Sequence, residues 1–274
     1  MTLAALLPHA IHASLFLAVV AVGLTATMRD STLLLRQPAQ LARLVLAMYV
    51  VMLAVAILIA LAVDLPPVGK IALGTLAMSP VPPILTGKAL KAGGEASYTT
   101  GVLVAGPLLA IVFLPVAVVV CHWIFALPMA LPITDVVWQV ATSVLLPLAL
   151  GMGARQLVPA SARWAKPLAT VASLLLVASF VPVLLGEWPV IEPLIGGGLV
   201  LAFAAFAVAG LAAGHLIGGP RPDERAVLAI ASAHASFPDQ RLAAPAVLLY
   251  LIVAGIVSLP YSRWSARALH RERA

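Results

Sequence analysis

The chain has 274 residues, 63% hydrophobic and only 9% charged, with 16 Lys and Arg against 10 Asp and Glu. Its mean hydropathy is +1.11. A water-soluble domain of that balance would have to wear an apolar surface, so soluble enzymes and nucleic-acid-binding modules are excluded. The single cysteine, Cys121, excludes an internal disulfide and offers no metal pair. The class is a polytopic all-α membrane protein, read as one transmembrane domain over residues 1–274.

About 20 apolar residues cross the hydrocarbon core of a bilayer. Runs between polar breaks give nine candidate spans, at roughly 10–28, 41–63, 68–86, 97–120, 136–154, 167–185, 194–217, 224–241 and 243–261. No Lys or Arg precedes the apolar core of the first run, and Arg29 follows it, so it reads as a retained span and not as a cleaved signal. With the N-terminus outside, alternation leaves only Lys70 and Arg241 outside; the other basic residues, from Arg29 to Arg273, fall inside. That division meets the positive-inside rule and puts the C-terminus in the cytoplasm of a cell inner membrane. The basic balance reflects this topology and contact with anionic lipid, with no nucleic acid implied. Trp123, Trp138, Trp164, Trp188, Tyr261 and Trp264 lie near span ends, as an aromatic belt does.

The third span carries "AMSPVPPIL", where Pro80, Pro82 and Pro83 cannot continue an ordinary helix. Irregular backbone survives at membrane depth only when buried in protein or lining a watery cavity. Transporters use such discontinuous helices as binding sites. The competing reading is a Pro-kinked helix with no ligand. Ser79 and Thr86 flank the break. In the seventh span Gly210, Gly214 and Gly218 form small-xxx-small steps and predict close packing against a neighbour.

The eighth span holds a second interruption, "AIASAHASFPDQRLAAP", with Ser232, His234, Ser236, Pro238 and Asp239. Spans three and eight cross in opposite directions, and paired irregular segments of inverted topology mark transporter repeats. The repeats would be about 10–120 and 136–262. His234 reads either as a functional polar group at depth or as a histidine bonded to a carbonyl near the outer face. Asp239 and Arg241 read as an outer-rim pair or a solvated turn. Tyr49 and Tyr250 lie inside spans and need partners for their hydroxyls.

The stretches "VGLTATMRDSTLLLRQPAQLARL", "DLPPVGKIALGTLAMSPVPPILTGKALKAGGEASYTTGVLVAGPLLAIVFLP" and "FPDQRLAAPAVLLYLIVAGIVSLPYSRW" resemble the bile acid:sodium symporter superfamily. The resemblance runs over most of residues 14–264. It implies an inverted-repeat transporter fold, with a helix panel supporting a core bundle in which two broken helices cross. Members with nine spans lack the first helix of the first repeat. Substrate and sodium would bind near the crossing. Ser79 and Pro80 match the start of that family's Ser/Cys-Pro-Gly-Gly-x-x-Ser-Asn run, but Val81-Pro82 replaces the Gly pair and the Asn is missing. No Glu lies between Arg225 and Arg263, where the family carries an acid followed by Gln or Asn. A hard cation needs several oxygen ligands, so sodium coupling is not expected from these residues.

No Gly-x-Ser-x-Gly, His-Glu-x-x-His or P-loop motif is present, and no enzyme is expected. The reading is a secondary active transporter of a small organic anion or related metabolite, working by alternating access where spans three and eight cross. Its binding residues would be Ser79, Pro80, Pro82, Pro83, Thr86, Ser232, His234 and Ser236. No cofactor is expected, and the coupling ion would be sodium or a proton. The alternative is a non-transporting membrane sensor or assembly subunit built on the same fold.

Overall fold

The computed structural model describes residues 3–79, 85–125, 133–196, 198–234 and 244–273, and among these there is no β-strand. The chain opens with α1 (Leu3–Gly23). Thr27 then caps α2 (Met28–Ser31) in a capping box. Its hydroxyl accepts from the Asp30 N–H at 3.2 Å, and the Asp30 carboxylate accepts from the Thr27 N–H at 2.8 Å. Burial opposes ionisation of Asp30, but hydrogen bonds from Thr27 and Ser97 and the charge of Arg155 outweigh it. Its carboxyl is held below the usual range.

After α3 (Leu33–Arg36), Pro38 opens α4 (Pro38–Val45), which runs through a π-helical stretch, Leu46–Val51, into α5 (Met52–Ala62). Pro67 opens α6 (Pro67–Met78) in the same way. The next described helix, α7 (Leu85–Lys91), is closed by Gly93, at φ +91°. The Gly94 N–H reaches back to the Ala89 carbonyl at 2.9 Å. The long α8 (Ala96–Phe125) follows.

In the second half, α9 (Ile133–Val140) passes through the π-helical stretch Ala141–Leu145 into α10 (Leu146–Leu157). A 3₁₀ segment, Pro159–Trp164, leads to α11 (Ala165–Ile191), and a second, Glu192–Ile195, follows it. Then come α12 (Leu199–Ile217), α13 (Pro222–Ser232) and α14 (Ala244–Arg273).

Among the described residues, six helices are long and apolar enough to cross a membrane: Pro38–Ala62, Ala96–Ile124, Val137–Leu157, Pro159–Ile195, Leu199–Ile217 and Pro245–Arg271. A shorter apolar helix covers His9–Gly23. The all-α polytopic class expected from composition is therefore the observed one. The third candidate span holds most of α6 and only the start of α7, and the eighth holds most of α13; none of these helices reaches that length. With 11 residues, α13 rises only about 16 Å at 1.5 Å per residue.

The exposed surfaces of these helices are apolar. Leu58, Leu61, Val112, Val116, Leu174, Leu185 and Leu201 are all exposed, as are the tryptophans Trp123, Trp138, Trp164, Trp188 and Trp264. The interior divides into three buried clusters. One joins α5, α6, α12 and α14; a second joins α3, α4, the first π-helical stretch, α7, α8 and α13; the third joins α1, α8 and α10.

Small residues set the closest approaches. A Cβ on Gly23 would lie 2.9 Å from Gly151 Cα, so α1 and α10 meet backbone to backbone. The predicted stripe on α12 finds its partner in α13. Cβ atoms on Gly210, Gly214 and Gly218 would lie 2.6 Å from the Ser232 carbonyl, 2.4 Å from Ala229 and 2.6 Å from Arg225 Cα.

Candidate functional site

At the end of α6 the backbone turns extended at Ser79 (φ −72°, ψ 139°). The Ser79 side chain is buried, and its hydroxyl donates back to the Thr75 carbonyl at 2.7 Å. Its one donor is therefore spent on its own helix, while the oxygen keeps acceptor capacity. Thr75 repeats the pattern, donating to the Ile71 carbonyl at 2.7 Å.

The end of α13 is finished by side chains. Helix termini leave carbonyls without helical partners, and here two are taken up. Tyr250, on α14, donates its hydroxyl to the Ala233 carbonyl at 2.6 Å. Its ring is held edge-on by Phe203 and Phe206 of α12, with centroids at 5.5 and 5.7 Å. His234 Nδ1 sits 2.9 Å from the Ile230 carbonyl. Ser232 is buried, and its Oγ has no hydrogen-bond partner among the described residues.

Because a carbonyl can only accept, Nδ1 of His234 carries the proton. In a neutral ring Nε2 then offers a lone pair. Lys88 Nζ lies 2.9 Å from that nitrogen and donates to it. Lys88 is partly buried on α7, which packs against α13, α8 and α14. Arg221 forms an ion pair with Glu224 at 3.2 Å. Among the described residues Lys88 thus meets a neutral imidazole there, and no carboxylate.

Thr86 lies on α7, two residues before Lys88, and is partly exposed. The packing of α7 on α13 therefore brings the Thr86–Lys88 segment to the end that carries Ser232 and His234. Ser79 lies on α6, which packs against α8 and α14. Pro80, Pro82, Pro83 and Ser236 lie outside the described residues, as do Asp239 and Arg241.

Sequence reasoning missed Lys88 by assigning it to a cytoplasmic flank. The available signal was its place within two helical turns of Pro83, nearer the break than Lys91. It also missed Glu224, which is 2% exposed. Glu224 accepts from Gln40 Nε2 at 2.9 Å and from Arg221 at 3.2 Å, tying α4 to α13. Tyr49 and Tyr250 both find carbonyls. The Tyr49 hydroxyl donates to Gly106 at 2.5 Å.

Beside the last turn of α6 lies an apolar cavity of about 280 Å³, lined by Tyr49, Leu53, Ala77, Phe113 and Ala117 among others. Among the described residues no group of three or more His, Cys, Asp or Glu is placed to hold a metal ion. No protein-family model matches the chain, and no curated protein matches it.

Proposed function

We propose that this chain is a secondary active transporter of a small organic anion, working by alternating access between spans three and eight. The observation that carries the reading is the Lys88 ammonium beside the neutral ring of His234, where two interrupted segments pack together. A partly buried cation with a neutral partner is suited to recognise an anionic group. The paired interruptions and the resemblance to the bile acid:sodium symporter superfamily support an inverted-repeat fold of nine spans.

The deciding experiment is uptake of radiolabelled organic anions by purified protein in liposomes. Saturable uptake, absent from protein-free vesicles, is the expected result. A chain that moves none of a broad anion panel is instead a sensor or assembly subunit.

Topology is tested separately. Leu90→Cys and His270→Cys, each in a Cys121→Ala background, should resist a membrane-impermeant thiol reagent in intact cells and react after permeabilisation. Labelling of both from outside would overturn the N-out, C-in arrangement that the basic residues favour.

Sodium is not the driving ion in this reading, because the family's Asn and Glu ligands are missing from both crossing segments. Uptake should be unchanged when potassium or choline replaces external sodium. A steep sodium requirement would contradict it.

A further inference from the structure

We infer that the anion travels with one proton, which is taken up at Nε2 of His234. This rests on the anion site proposed above and names its coupling ion. The Nε2 lone pair accepts from Lys88 at 2.9 Å, and Nδ1 is anchored on the Ile230 carbonyl at 2.9 Å. A proton added to Nε2 in that state would set an imidazolium against an ammonium, so proton binding alone is opposed.

An arriving carboxylate takes the Lys88 donor for itself. The unprotonated Nε2 lone pair would then face an anionic oxygen with no hydrogen between them. Protonation turns Nε2 into a second donor to that oxygen. Anion and proton therefore bind better together than apart, and each disfavours the site when alone. The charge also balances: lysine alone carries +1, and lysine, imidazolium and monoanion together carry +1. An empty and a fully loaded carrier thus re-orient with the same net charge at the site, whereas a half-loaded one does not.

Among the described residues the neighbouring titratable groups leave this role to His234. Of the elements packed against α13, α7 brings Lys88 to the imidazole. On α14, Tyr250 is committed to the Ala233 carbonyl, and in the π-helical stretch Tyr49 is committed to Gly106. On α12, His215 pairs with the Tyr261 hydroxyl at 2.9 Å. On α8, Tyr98 sits near Glu224, which with Arg225 lies at the opposite end of α13.

The test uses the full chain in detergent, with benzoate and benzenesulfonate as probes; the sulfonate keeps its charge throughout, so its pH dependence reports the protein. Affinity is read from anion-induced thermal shifts between about pH 5 and about pH 8, the interval in which histidine titrates. The wild type should bind more weakly as pH rises, approaching about tenfold per pH unit at the upper end, as one linked proton requires. His234→Gln should bind at an altered level with no slope, and Lys88→Met should bind much more weakly at every pH.

A flat wild-type profile, or an unchanged slope in His234→Gln, overturns the proton while leaving the anion site standing. If neither probe stabilises the wild type beyond Lys88→Met at any pH, the anion site falls and the proton with it.

Discussion

Lys88→Met should sharply weaken organic-anion binding while leaving the protein folded. Methionine keeps most of the length and apolar stem of lysine, so α7 still fills its place against α13. What disappears is the ammonium. Two changes in stability then oppose each other. The variant no longer holds a partly buried charge, which is a gain. It leaves His234 Nε2 without its donor, which costs about 1–3 kcal/mol for a buried unsatisfied group. The melting temperature should therefore move little.

Binding has no such compensation. A hydrogen bond to a charged group contributes about 1.5–3 kcal/mol, so affinity for a carboxylate should fall by about ten- to a hundredfold. Lys88→Arg keeps the charge and should retain part of the affinity. Isothermal titration or ligand-induced thermal shift measures both variants against wild type. Wild-type affinity in Lys88→Met would remove the central residue of the proposed site.

The second large effect is expected at Gly214. A Cβ there would lie 2.4 Å from both N and Cα of Ala229, distances at which backbone and not a flexible side chain must give way. Gly210 and Gly218 meet α13 just as closely, at 2.6 Å each, so the two helices share a long backbone seam. Gly214→Leu must force that seam open. Ordinary overpacking costs about 1–3 kcal/mol; here a whole helix must move, and the loss should reach or exceed the top of that range.

The displaced helix carries Ser232 and His234, so binding should fail together with stability. Gly214→Ala is the milder form. It should stay folded with a lower melting temperature and weaker anion binding. Gly153→Ala is the control, because nothing lies within 4 Å of a Cβ at that position on α10. Relief of glycine's entropy there should be neutral or stabilising, by up to about 1 kcal/mol. If Gly214→Leu melts and binds like the wild type, α12 and α13 are not in contact as described.

Features that depend on composition and short stretches were readable from the chain alone. The membrane class follows from hydropathy. The sites where helices stop follow from Pro66-Pro67, from Ser79-Pro80 and from the glycines at 218 and 219, because proline and glycine act on the backbone where they stand. The glycine stripe announced a close contact, since a helix face without side chains has no other means of burying itself well. The exposed Trp123, Trp138, Trp164 and Trp188, near helix ends, were likewise expected from their amphipathic rings.

The identity of partners was decided only by the tertiary structure. A helix in lipid is apolar on every side, so the hydrophobic pattern that marks the inner face of a soluble helix is erased here. Nothing in the stripe says that its partner is α13. Nothing near Tyr250 says that it will finish the Ala233 carbonyl, 17 residues earlier. Lys88 is the clearest case: its place among basic residues at a span end reads as a topology signal. Its contact with His234, 146 residues away, changes its chemistry from a solvated flank to a charge held against a neutral ring. Charge counting weighs each residue by type, while the role of an ammonium depends on what lies within 3 Å of it, and that is set by how the helices pack.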